Sequence, residues 1–105
     1  MNPKPGEVWI ADLGLAAKTR PVLIVSRFDP DPPRALAIYI PFTRASRGSA
    51  YEISVGKPPF LHDESVLNVQ GIGSLPFARL ERLIGQLPPA TLEQVKHALR
   101  YAMEL

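Results

Sequence analysis

The sequence contains no cysteine. That excludes disulfides, thiolate metal sites and a cysteine nucleophile, and it fits a reducing cytosol. Long apolar runs are also missing; none approaches the roughly 20 residues of a membrane-spanning helix. The start, Met1-Asn2-Pro3-Lys4-Pro5-Gly6, passes straight into a strand-like segment without the apolar core of a secretion signal. The expectation is a cytoplasmic protein with no membrane partner. Charge of one sign is scarce overall, with a net charge of +2. Glycine-rich phosphate loops, a nucleophile elbow and a His-Glu-x-x-His helix are absent too. Gly71-Ile72-Gly73 is too short for a dinucleotide fingerprint and reads as a bulge or turn.

What is present is a small globular balance, 46% apolar and 21% charged over 105 residues. One domain spanning 1–105 accounts for it. Twelve prolines punctuate the chain rather than repeat. Between them lie short segments rich in Val, Ile, Leu and aromatics, the pattern of a compact β domain. Strands are expected at Glu7–Leu13, Thr19–Arg27, Arg34–Phe42, Tyr51–Val55, Ser65–Gln70 and Leu80–Gly85. Gly71–Arg79 is ambiguous. The unbroken Val22-Leu23-Ile24-Val25 implies burial on both faces. Leu92, Val95, Leu99 and Ala102 recur at helical spacing after Pro88-Pro89, so a terminal helix over 89–104 is expected. These elements favour a mainly β fold (α+β): a small, strongly bent antiparallel barrel with a C-terminal helix laid across it.

The cations are not evenly spread. Lys18, Arg20, Arg27, Arg34, Arg44 and Arg47 face only Asp29 and Asp31 between residues 18 and 47. On charge alone this is either a solvated face or an anion-binding one. His62-Asp63-Glu64 is no metal site on this reading, because neighbouring residues on an extended chain point to opposite faces. His97 reads as a solvated helix residue and Asp12 as a turn-capping acid. An enzyme lacking metal, cysteine and an evident histidine base has few chemistries open to it. Cleavage of RNA is one, because the substrate brings its own nucleophile, the 2′-hydroxyl. The protein need only hold the phosphate in line and stabilise the charge that builds there.

Strands two and three read as a hairpin around Asp29–Pro33. A loop centred near residue 31 sets Arg20 opposite residue 42, one position from Thr43. A guanidinium, planar and permanently charged, grips phosphate through paired hydrogen bonds, and a hydroxyl beside it donates another. The plainer alternative is that Arg20 pairs with a carboxylate and Thr43 caps a turn.

Several blocks of the sequence resemble the MazF/PemK-type toxins. They are Pro5-Gly6-Glu7-Val8-Trp9 with Asp12-Leu13, then Thr19-Arg20-Pro21-Val22-Leu23-Ile24-Val25-Ser26. Pro41-Phe42-Thr43, Val69-Gln70, Ala78-Arg79-Leu80 and Leu83-Ile84-Gly85-Gln86-Leu87 follow in order. The resemblance covers essentially the whole chain. It implies an SH3-like barrel, a homodimer and one half of a type II toxin–antitoxin pair. It also implies metal-independent, cofactor-free cleavage of single-stranded mRNA at short motifs, leaving a cyclic phosphate and a 5′-hydroxyl. By matching position, Arg20 and Thr43 are the catalytic pair and Gln70 contacts a base. Phe42, beside Thr43, is placed to stack on a base, and Lys18, Arg44 and Arg47 to meet phosphates. The partner protein would be an antitoxin whose acidic, partly disordered tail covers the same groove. Many members carry a longer first loop with an acid and an amide ahead of the arginine. Here Gly14-Leu15-Ala16-Ala17-Lys18 stands instead, so the group that accepts the 2′-hydroxyl proton is unassigned. Two other functions fit the residues: a catalytically idle RNA- or peptide-binding barrel, and a gyrase-poisoning toxin of the related CcdB type. The C-terminal end, Tyr101 to Leu105, has no tryptophan and disfavours the second.

Overall fold

Val22, Leu23 and Ile24 have no exposed surface. They lie on β2 (Thr19–Ile24), where successive side chains alternate between faces. Leu23 enters one hydrophobic cluster with Val8, Ile40, Leu67 and Val95. Val22 and Ile24 enter a second with Ala11, Ala37, Leu75 and Leu80. The sheet is therefore apolar on both sides, as the unbroken run implies. Burying a Leu or Ile of this kind contributes roughly 1.5–3 kcal/mol.

The structure, a computed structural model, describes residues 2–14 and 18–105. The remaining strands are β1 (Glu7–Asp12), β3 (Leu36–Thr43), β4 (Glu52–Gly56), β5 (Ser65–Asn68), β6 (Gly73–Pro76) and β7 (Leu80–Gln86), and α1 spans Pro89–Met103. β2 stops short of the expected Arg27 because its ladder changes character. Val25 N–H still donates to Ile38 O at 3.0 Å, but Ile38 N–H donates to the Ser26 hydroxyl at 3.1 Å. The ambiguous stretch after Gly71 contains a strand, β6, that pairs with the first half of β3 from Leu36 to Tyr39.

The strand order is β4-β5-β3-β2-β1-β7, with β6 also on β3 and every pairing antiparallel. One edge of β3 is thus shared: β6 takes its first half and β5 pairs with Phe42 and Thr43. Among the described residues no ladder joins β4 to β7, so the bent, barrel-like sheet of seven strands is not closed. Phe60, from the connection after β4, packs on β7 at Gly85, where a Cβ would lie inside the aromatic ring's van der Waals envelope. The mainly β fold with a terminal helix stands as expected.

α1 begins at Pro89 in its first position, with Pro88 as cap, and buries Val95 and Ala98 against the first cluster. Leu99 and Ala102 pack beside them, and Tyr101 meets Tyr51 with ring centroids 5.4 Å apart. The helix closes at Glu104, in a left-handed conformation with φ 57°, and Leu105 N–H caps Arg100 O at 2.9 Å. Among the described residues no helix is long and apolar enough to cross a membrane.

Gly85→Ala should lower stability by about 1–3 kcal/mol through overpacking against Phe60. Urea unfolding measures this as a lower midpoint at unchanged slope, and adding Phe60→Leu should recover part of the loss.

Candidate active site

The β2–β3 ladder pairs Val22 with Pro41, Leu23 with Ile40 and Ile24 with Tyr39. Carried two residues further, it sets Arg20 opposite Thr43. That is one residue beyond the pairing expected from the centre of the loop. Residues directly opposite in an antiparallel pair share a face. Arg20 and Thr43 both line one groove of about 720 Å³. Its apolar walls include Ile10, Pro21, Phe42, Phe60 and Ile84, and Arg44, His62, Asp63 and Arg82 add polar groups.

Of the two arrangements open to the pair, Thr43 shows the turn and Arg20 does not show the ion pair. The Thr43 hydroxyl oxygen accepts from Ala45 N–H at 3.1 Å, which leaves its own proton free to donate. The ion pairs among the described residues are Arg44–Asp63, Arg79–Asp12 and Lys96–Glu93, so Arg20 is in none of them. Arg20 is also exposed, with its charge available to an anion.

A second hollow of about 430 Å³ is lined by Thr43, Ala45, Arg47, Glu52 and Gln70, among others. Thr43 and Ala45 line both hollows, so the hollow with Arg20 and the hollow with Gln70 adjoin at the end of β3. Gln70 is held there by the short 3-10 turn Val69–Gly71, capped by Asn68, whose side chain accepts from Gln70 N–H at 3.1 Å. Gly71 lets the turn press onto β3, since a Cβ there would stand 2.6 Å from Pro41 Cγ. The structure thus brings together Arg20, Phe42, Thr43, Arg44, Arg47 and Gln70. Lys18 is exposed just ahead of β2 and lines neither hollow. Of the shortened first loop, Gly14–Lys18, residues 15–17 lie outside the described residues. Asp12 does cap its turn, accepting from Gly14 N–H at 2.8 Å.

Residues 4–103 match the model of a protein family described as PemK-like, MazF-like toxin of type II toxin–antitoxin system. The chain belongs to this family. Among solved structures it is similar to an endoribonuclease in complex with its cognate antitoxin from a mycobacterial species. That likeness has 26% identity over 98% of this chain and 96% of the other, with a TM-score of 0.83. It is also similar to the Mycobacterium tuberculosis toxin MazF-mt6, at 30% identity over 94% and 97% of the two chains and a TM-score of 0.82. MazF from Deinococcus radiodurans shares the fold at 22% identity, over 100% and 99% of the chains, with a TM-score of 0.78. A search of curated proteins gives no match.

Three polar groove residues of this PemK/MazF-family chain, Arg82, His62 and Asp63, are not placed by sequence pattern. Arg82 enters because β7 pairs with β1, with Arg82 facing Ile10. Only knowledge that the last strand returns to the first could have placed it. His62 and Asp63 sit in an exposed connection, as expected, yet that connection folds against the groove.

Arg44 is partly spoken for. Its guanidinium lies 3.2 Å from the Asp63 carboxylate, with both side chains largely exposed. Such a pair contributes about 0–1 kcal/mol and gives way to a phosphate. Glu52 organises the loop that presents Arg47. Its carboxylate accepts from Ser49 N–H at 2.9 Å, Arg47 N–H at 3.0 Å and Ser49 Oγ at 3.0 Å. Those donors, Ser49 N–H first and Arg47 N–H next, hold its pKa below the ordinary 4.5. A lowered folded value means that the loop's ordering by Glu52 is complete above pH 4.5 and fades as pH falls through the folded value. The Arg47 and Ser49 amide chemical shifts should therefore hold through pH 4.5 and move together below it. Glu52→Gln should abolish that titration.

Proposed function

We propose that this chain is the toxin of a toxin–antitoxin pair, an endoribonuclease that cleaves single-stranded RNA by attack of a 2′-hydroxyl on the adjacent phosphate. The observation that carries the reading is the meeting of Arg20 and Thr43 in one groove of a PemK/MazF-family fold. Arg20 holds the scissile phosphate and stabilises the charge that grows on its oxygens as the 2′-oxygen attacks. The Thr43 hydroxyl donates to another phosphate oxygen and fixes the in-line geometry. The 2′-oxygen–phosphorus bond forms as the bond to the 5′-oxygen breaks, leaving a cyclic phosphate and a 5′-hydroxyl. This chemistry asks for no metal and no cofactor.

Two adjoining hollows, one lined by Arg20 and the other by Gln70, support an extended strand rather than a single nucleotide. Phe42 stacks on a base, Gln70 reads a base edge, and Arg44, Arg47, Arg82 and the outlying Lys18 meet flanking phosphates. The antitoxin is a protein with an acidic, partly disordered tail that competes for the same cations. The endoribonuclease from a mycobacterial species that this chain is similar to was solved with its cognate antitoxin. A homodimer is supported by the exposed Leu36, Ile38 and Ile72. Leu36 and Ile38, two residues apart on β3, share one face of the sheet, and Ile72 lies just ahead of β6, which pairs with that part of β3. The working compartment is the cytoplasm, where substrate and antitoxin meet.

Long single-stranded RNA incubated with the protein in EDTA should be cut at a recurring short motif. Arg20→Ala should lower the rate about 10²–10³-fold, the scale of losing one positioned donor to a developing oxyanion. Intact RNA that is still bound, with salt-sensitive affinity, would instead make this an idle binding barrel.

A further inference from the structure

Resting on the ribonuclease reading, we infer that His62 is the proton acceptor for the attacking 2′-hydroxyl. Cleavage by a 2′-hydroxyl needs a base, and the first loop supplies neither an acid nor an amide. The carboxylates that line the two hollows are Asp63 and Glu52, and both are engaged. Asp63 faces the Arg44 guanidinium at 3.2 Å. Glu52 accepts hydrogen bonds from three donors, Arg47 N–H, Ser49 N–H and Ser49 Oγ, which hold it charged and make it a weak base. His62 lines the groove that holds Arg20 and Thr43. The other histidine, His97, is on α1 and lines neither hollow.

Neutral imidazole takes the 2′-hydroxyl proton as the 2′-oxygen bonds to phosphorus. The bond from phosphorus to the 5′-oxygen breaks on the opposite side, beyond reach of the same imidazole. A water protonates the departing 5′-oxygen, and the imidazolium returns its proton to the hydroxide so formed. Arg20, held against the phosphate, and Thr43, donating to it, keep the roles already given. The charged groups facing the groove around His62 are Arg20 from β2, Arg44 beyond β3, Arg82 from β7 and Asp63 beside it. A general base gives the rate an acid limb, which disappears when that base is removed.

The test compares wild type, His62→Gln and His62→Ala on one RNA across pH 5–9. Binding is followed in parallel with a 2′-fluoro oligonucleotide of the same sequence, which lacks the nucleophile. His62 is exposed, so neither change disturbs the core. Expected are a fall in kcat of about 10²–10⁴-fold in His62→Gln, loss of the acid limb and little change in affinity for the 2′-fluoro strand. Free imidazole should restore part of the rate to His62→Ala. An acid limb that survives in His62→Gln, with a rate within tenfold of wild type, overturns the assignment and leaves the ribonuclease reading intact. So does a rate loss matched by an equal loss of binding, which would make His62 a holder of RNA. No cleavage by the wild type removes the ribonuclease reading and this inference together.

Discussion

The groove depends on β3 being paired along both of its edges. On one side Tyr39, Ile40 and Pro41 hold β2; on the other, β6 takes the first half and β5 pairs with Phe42 and Thr43. A strand pinned this way cannot slip by a residue without turning Ile40 out of one cluster and Ala37 out of the other. The register that keeps the core dry is the one that sets Thr43 against Arg20. Core packing and site geometry are one constraint here, and β5 fastens the end of β3 where the hydroxyl has to stay.

Around that fixed pair the charged groups are held by weak, exposed contacts. Arg44 rests on Asp63 across the surface, and Glu52 orders the loop of Arg47 through backbone donors. This gradation suits a polyanion: Arg20 is in no described ion pair, and Arg44 can exchange its Asp63 carboxylate for a phosphate oxygen. Net charge is only +2, so the attraction arises from placement and not from the chain as a whole.

The parts legible from sequence are those set by local pattern. The α1 helix was readable because Leu92, Val95 and Leu99 keep one helical stripe behind a proline start; Ala98, too small to mark a stripe, is buried as well. The double burial of β2 was readable from four consecutive apolar residues. The hairpin register was readable to within one position, because the ladder is centred between residues 31 and 32 and not at 31. What was not legible is non-local. β6 is four residues ending in proline and shows no alternation of its own; it is a strand because β3 offers it an edge. The contact of Phe60 with β7 at Gly85 joins segments far apart in sequence, and Arg82 enters the groove through a pairing of first and last strands. His62 belongs to a connection without periodicity, so only its folded path reveals what it faces.

The central claim is that Arg20 and Thr43 act together on one phosphate. The direct measurement is a double-mutant cycle on single-turnover RNA cleavage with Arg20→Ala, Thr43→Ala and the pair. Residues that work as a unit are strongly non-additive. The account predicts that the double variant cleaves about as slowly as Arg20→Ala alone. Independent, multiplying losses would show that the two side chains act on different groups, and would contradict it.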